Sequence, residues 1–438
     1  MKRRVLVEIL ILTIIAVSAY ELLGLYLPGC GVVWGIGILL LPWLEHCLRR
    51  NSQAKKEYYE LTAYMEQMLC SYKREGNIRL ALEDCATLFP EKSKMGKLLG
   101  KMLHMLKTGE GVEGAEIVQE TLQQMNEGYN SRRLILLHNF LCSVDKMGGE
   151  TAEALDILLQ DLQMWKRRVL LYQQKKHSIR VESVVAALLA LLMCFVSRIF
   201  VPFDFLPNLT GSYLYQGSTA LIISLLFFVE VFILHKLTGS WLDTKHDLQK
   251  KEKRQLIQQY MRLKKTSDGN NGAGIFAHLA KKICRSEVER EFPYWLLSVT
   301  LYLQQKSVYH AVSQSLQQVR GIFREEVKKF LNHMYESPAS LLPFTDFFQE
   351  LELSEVQTGM KILYSVNTNG YQETRKQVRF LVEQNNLVMD KCERNRLENQ
   401  IAGMGLLKQI PLTLACGKVV VDMVVLLMML LRGYQSIF

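Results

Sequence analysis

The chain lacks the close-set cysteines that clamp metals or build disulfide frameworks. Its nine cysteines are scattered singly from Cys30 to Cys416, without one C-x-x-C pair, so neither a disulfide scaffold nor a zinc site has a spacing signal. Cys30, Cys47, Cys194 and Cys416 fall in or beside apolar runs, where a thiol acts as a small hydrophobe. The nine histidines contain no H-E-x-x-H pairing, which removes the commonest zinc-hydrolase motif. The nearest approach to a phosphate-cradling loop runs from Gly96 to Lys101. It has the wrong glycine spacing, and Met102 stands where a magnesium-holding hydroxyl belongs. Alternating β-branched patterns are scarce, and no stripe of interleaved basic and aromatic residues points to nucleic acid. The expectation is an all-α protein with no catalytic residues, no cofactor and no metal: not an enzyme.

What is present divides into two populations. Mean hydropathy is near zero at +0.05, yet some segments are almost purely apolar and others carry charge as dense as any soluble helix. Such a division marks a chain that lives in two solvents. Five runs approach the roughly 20 residues a bilayer requires: Val5–Leu27, Cys30–Leu48, Val181–Val201, Leu214–Leu237 and Ile410–Leu431. Pro28 and Gly29 are expected to turn the first pair into a hairpin. Pro202, Pro207 and Gly211 separate the second pair.

Charge sets the orientation. The net charge is +10, and the basic clusters sit beside the spans: Lys2, Arg3 and Arg4; Arg49, Arg50, Lys55 and Lys56; Lys175, Lys176 and Arg180; Lys250, Lys251, Lys253 and Arg254. Both hairpin loops lack Lys and Arg. By the positive-inside rule the N-terminus and the stretches 51–180 and 238–408 are cytoplasmic. Arg198 and Arg432 run against the pattern and are expected to snorkel outward. Val17, Ser18 and Ala19 resemble a signal-peptide cleavage site, but Glu8 inside the preceding run counts against cleavage. The organisation is then a transmembrane hairpin (1–50), a cytoplasmic helical domain (51–180), a central hairpin (181–237), a linker with a second helical domain (238–408), and a final span (409–438). Thr266 to Gly274 reads as a flexible link.

The two cytoplasmic stretches resemble each other. Tyr72 to Leu82 aligns with Tyr302 to Val312, and Ser143 to Gly148 aligns with Ser365 to Gly370, in the same order. Each copy follows a membrane hairpin and leads into another span, so a membrane-anchored helical unit is duplicated. Asn77 and Ser307 precede periodic apolar runs, as N-caps do. Leu155, Leu159, Leu162 and Trp165 recur on one helical face.

The first copy, over residues 60–200, resembles the F-type inner-membrane platform family of type II secretion and type IV pilus machines. The closest likeness is to the TadB and TadC proteins of the Tad (Flp) pilus system. The residues that carry the likeness are Gly76 with Asn77, Ala81 with Leu82, Gly109 and Gly111, then Gly148, Gly149 and Glu150 ahead of Leu155. The second copy departs from the pattern, with Lys306 in place of Gly76 and Tyr371 after Gly370. The resemblance implies a bacterial cytoplasmic-membrane protein with both helical domains in the cytosol. Its partners would be a hexameric secretion ATPase, pilin or pseudopilin subunits, and further platform subunits in a homo- or hetero-oligomer.

Two groups stand out as sites. Gly148, Gly149 and Glu150 read as one helix stopping and the next starting, with Glu150 at a positive helix end. With Asp145 and Glu153 they also form an acidic cluster that could dock a basic motor surface. Lys418 and Asp422 lie i,i+4 inside the last span. They either neutralise each other or meet an acidic residue of a pilin. Glu230 and Glu8 read as interface anchors, and the run from Arg285 to Glu291 as a solvated charged stretch. Two other functions remain: a transporter component, which predicts polar residues at midplane on several spans, and a sporulation-type channel or membrane-tethered signalling protein.

Overall fold

A computed structural model describes residues 13–15, 17–108, 114–147, 151–238, 241–242, 275–304, 306–316, 318–319, 321–368 and 371–435. The expected linker from Thr266 to Gly274 and the first twelve residues lie outside these. Among the described residues every element is a helix and no sheet forms. In order they are α1 (Leu27–Glu75), α2 (Ile78–Leu88), α3 (Lys94–Thr108), α4 (Gly114–Tyr129), α5 (Arg132–Met147), α6 (Ala152–Ile199), α7 (Leu206–Gly211) and α8 (Tyr213–Leu237). The second half holds α9 (Ile275–Leu303), α10 (Val308–Ser315), α11 (Gly321–Glu336), α12 (Leu342–Asp346), a 3₁₀ turn (Gln349–Leu351), α13 (Ser354–Thr368), α14 (Tyr371–Leu407) and α15 (Ile410–Gln435). The chain divides into two compact units. One comprises residues 1–55, 170–240 and 397–438; the other comprises 56–169 and 241–396.

The first unit is a membrane unit. Four helices are long and apolar enough to cross a bilayer: α1, α6, α8 and Gly403–Leu431. The chain is therefore a multi-pass membrane protein. Of the expected first span, the described part is the short apolar helix Thr13–Leu23. The turn after it differs from expectation. The break falls at Gly24, whose φ of 64° is left-handed, while Pro28 sits in the first turn of α1. Proline suits that position, because its fixed φ is helical and the N–H it lacks would have no partner there. Past the end of the expected span at Leu48, α1 remains helical. It continues through the charged residues to Glu75, because Lys, Gln, Ala and Glu change the solvent a helix prefers without breaking its backbone. Ser212 caps α8, its hydroxyl accepting from the Tyr215 amide at 3.1 Å, and α8 packs along α15.

The second unit is a bundle of shorter helices on one apolar core. That core joins residues of both halves, from Tyr58 and Leu82 to Trp295 and Val382. Trp295 stacks on Phe347 with ring centroids 5.3 Å apart, and Phe140 of α5 meets Tyr302 of α9 at 6.3 Å. The aligned stretches bury the same positions. Tyr72 and Tyr302, Ile78 and Val308, Ala81 and Ala311, and Leu82 and Val312 are all buried. Asn77 caps α2 by accepting from the amides of Arg79 and Leu80. Ser307 holds the matching position before α10, but its hydroxyl engages His310 Nδ1 at 2.9 Å instead of the backbone. Gly76 closes α1 with a left-handed φ of 65°, the conformation in which glycine most often ends a helix.

His138 is sealed inside this core, with Tyr64 Oη at 3.0 Å from Nε2 and Asn126 Oδ1 at 2.8 Å from Nδ1. The neutral tautomer protonated on Nδ1 satisfies both contacts. Burial pushes the imidazole down to about 3, whereas an unfolded histidine protonates near 6.5. Between those values the unfolded chain binds the extra proton, so stability is complete above about pH 6.5 and declines as pH falls. Melting followed by tryptophan fluorescence should show this loss, with a contribution of up to about 1.4 kcal/mol per pH unit. His138→Gln should flatten the pH dependence while lowering stability at pH 8.

Candidate functional site

Of the residues expected to form an acidic docking cluster, Asp145 is exposed near the end of α5. Glu153 lies in the first turn of α6 and faces Arg379 Nε of α14 at 3.4 Å. Gly109, Gly111, Gly148, Gly149 and Glu150 lie outside the described residues. The carboxylate of Glu153 thus points to the other half of the bundle.

Lys418 and Asp422 are paired along α15, and both are buried. The Lys418 ammonium also sits over the Tyr215 ring, 3.9 Å from its centroid. A desolvated charge is tolerated in a membrane when it is neutralised in this way. Mutual neutralisation is therefore the arrangement present. Meeting an acidic group from outside would first require this covered contact to open.

Nearby, polar side chains from two spans close the end of Thr13–Leu23. Arg198 Nη1 donates to the carbonyls of Glu21 and Leu22 at 3.1 and 2.6 Å. Tyr215 Oη donates to Leu23 O at 2.7 Å, and Gln216 Nε2 to Gly24 O at 2.9 Å. A helix end leaves carbonyls without intrahelical partners and carries partial negative charge, so Arg198 has a specific role where snorkelling was expected. The side chain of Arg432 lies outside the described residues, as does Glu8. Glu230 accepts from the Ser183 hydroxyl at 2.6 Å, which makes it a helix-to-helix contact as well as a charge near a span end.

The most developed polar site is one that sequence reasoning missed, and it lies within the bundle. Arg133 of α5 is 2% exposed. Its Nε donates to Asp161 Oδ2 at 2.9 Å, its Nη1 to Tyr294 Oη at 3.1 Å, and its Nη2 lies 3.5 Å from Glu393 Oε1. The guanidinium also covers the rings of Trp165 and Tyr294, at 5.0 and 5.2 Å. Arg168 joins from α6, with Nη1 at 3.0 Å from Asp390 Oδ1 and Nε at 2.7 Å from Glu393 Oε2. Arg132 Nη2 meets Glu291 Oε1 at 2.6 Å. Four helices, α5, α6, α9 and α14, are thereby tied together by charge.

This corrects the reading of Arg285 to Glu291 as a solvated stretch. Arg285 and Glu289 do pair on the surface, but Glu291 is drawn into the network. Burial pushes the Glu287 carboxyl above its usual range, partly offset by Arg290. The missed signal was the adjacent pair Arg132 and Arg133 opening a helix whose next four residues, Leu134 to Leu137, are apolar. Nothing in one sequence says which distant carboxylates such a pair will meet. Chemically the network holds helices; it pairs no nucleophile with a base. Among the described residues no group of His, Cys, Asp and Glu is arranged to hold a metal ion.

Removing one partner of a buried ion pair leaves the other uncompensated, at a cost of about 3–5 kcal/mol. Arg133→Met should therefore destabilise the bundle strongly. Pairing it with Asp161→Leu should recover part of the loss, a coupling that a double-mutant cycle on thermal melting measures. Additive losses would mean that the two side chains act separately. No family model matches this chain, and neither curated proteins nor solved structures give a match.

Proposed function

We propose that the chain is an inner-membrane platform protein of a type II secretion or Tad (Flp) pilus machine. In this reading it couples a cytoplasmic hexameric ATPase to the extraction and polymerisation of pilin subunits. One observation carries the reading. Three of the four boundaries between the two units, at residues 55/56, 169/170 and 396/397, fall inside a helix, in α1, α6 and α14 respectively, while the fourth, at 240/241, follows the end of α8 at Leu237. In this reading a displacement applied to the bundle is passed to the membrane helices along the backbone of these three helices. The duplicated pattern around Tyr72 and Tyr302 and the family-like residues Gly76, Asn77, Ala81 and Leu82 add to it.

In this reading the basic clusters at the span ends face the cytosol of a bacterium and place the bundle where a motor can reach it. The protein does no chemistry of its own. Asp145 and Glu153, with Gly148, Gly149 and Glu150, form a candidate face for the motor. Lys418 and Asp422 lie among the spans that pilins would pass, and further platform subunits complete the assembly.

Affinity purification of the full chain from membranes should recover a secretion ATPase and pilin-like subunits. Asp145→Arg should reduce recovery of the ATPase several-fold without changing membrane insertion. Recovery of a transported solute's binding partners in place of a motor would favour the transporter reading. Protease access to residues 60–170 from outside the cell would exclude the platform.

A further inference from the structure

Lys176 is a cation largely covered by protein. It is 9% exposed and lies on α6 five residues before the apolar stretch that begins at Val181. Among the described residues no carboxylate pairs with it, and its ammonium rests on the ring of Tyr172 one turn back, 4.4 Å from the centroid. Burial is what pushes its pKa down, to about 8. The acids nearby in the same unit are engaged elsewhere, Glu182 with Lys408 at 2.5 Å and Glu230 with Ser183 at 2.6 Å. Lysines at span ends ordinarily extend into water, whereas nine-tenths of this one is covered by protein. Covering a cation without an anion is costly, and among the described residues none supplies the anion.

A second unmet donor lies on the same stripe of the helix. The Gln173 Nε2 amide is buried and has no hydrogen-bond partner. Residues 173, 176 and 180 are spaced i, i+3, i+7 and share one face. Arg180, half-buried and close enough to Glu230 to feel its charge, continues that face. Two covered donors and a flanking guanidinium call for a compact anion rich in acceptor oxygens.

The geometry points to a binding site on α6 for the phosphate of an anionic lipid headgroup, with Lys176 as counter-charge, Gln173 as hydrogen-bond donor and Arg180 as the outer cation. Lipid is favoured over free phosphate by depth. Five residues of helix span about 7.5 Å, which puts Lys176 at headgroup level when Val181 enters the hydrocarbon. A phosphodiester also brings a single negative charge to a single buried ammonium. The inference needs the multi-pass arrangement and is independent of the platform reading.

The test uses the full chain, stripped of lipid in an uncharged detergent. It is titrated separately with short-chain phosphatidylglycerol, short-chain phosphatidylcholine and inorganic phosphate, and binding is read by native mass spectrometry. Phosphatidylglycerol should be retained at least about fivefold better than phosphatidylcholine, the preference expected from one near-surface cation worth about 1 kcal/mol. Lys176→Met should abolish the preference. Lys175→Gln removes the same charge from an exposed neighbour and should keep it. Stripped of lipid, Lys176→Met should melt no lower than the parent chain, since it removes an uncompensated charge. Added phosphatidylglycerol should raise the melting temperature of the parent alone. Equal retention of the two lipids, an unchanged preference in Lys176→Met, or phosphate binding as tight as phosphatidylglycerol would each overturn the assignment. If Lys176→Met does not fold, Gln173→Leu carries the test: it should lower retention of phosphatidylglycerol several-fold, and undiminished retention in that variant overturns the assignment.

Discussion

An α-helix is the one backbone arrangement that meets all its own hydrogen-bonding needs without regard to the medium around it. This protein depends on that property. In α1 the side chains change from Gly, Leu and Trp to Lys, Glu and Tyr, and the backbone does not register the change. In α6 the order is reversed, with charge first and apolar residues afterwards. A loop at either crossing would expose peptide groups at the depth where water is scarce. An unbroken helix avoids that cost.

Where charge does enter covered surroundings, the protein answers it in three ways. Lys418 and Asp422 neutralise each other on one helix and use the Tyr215 ring as a third neighbour. Arg198 turns to backbone carbonyls left over at a helix end. Arg133 and Arg168 share three carboxylates drawn from α6 and α14. Buried networks of this last kind rarely add net stability compared with apolar packing. Their effect is on specificity, because a slipped register would leave a full charge without its opposite.

The fold class was legible because it rests on local chemistry. Apolar runs near the length of a bilayer stand out from charged neighbours, and α8 and α15 begin and end within a few residues of the expected spans. The cap at Asn77 was legible for the same reason, since an Asn before a periodic run is a local signal. The turn before α1 was misread because proline has two meanings: it breaks a helix interior and begins a helix well. The arginine network was not legible at all. Arg133 and Glu393 are far apart in sequence, and a charge-bearing helix looks the same whether its charges face water or one another. The acidic residues near Gly148 carried no sign that Glu153 would turn toward Arg379.

The shared core of the bundle bears on how the chain is made. Because Tyr58, Leu82, Phe140 and Trp165 pack into one cluster with Phe292, Trp295 and Leu381, the first half cannot finish its interior when it leaves the ribosome. It must wait for residues beyond 380, which follow at about 5–20 residues per second. For roughly ten to fifty seconds the early helices therefore hold an open apolar flank. The apolar part of α1 is available to tether that flank from the start, and α6 and α8 join it before residue 380 is made. Folding of the bundle is therefore completed late, with the later half arriving as the missing wall of the earlier one.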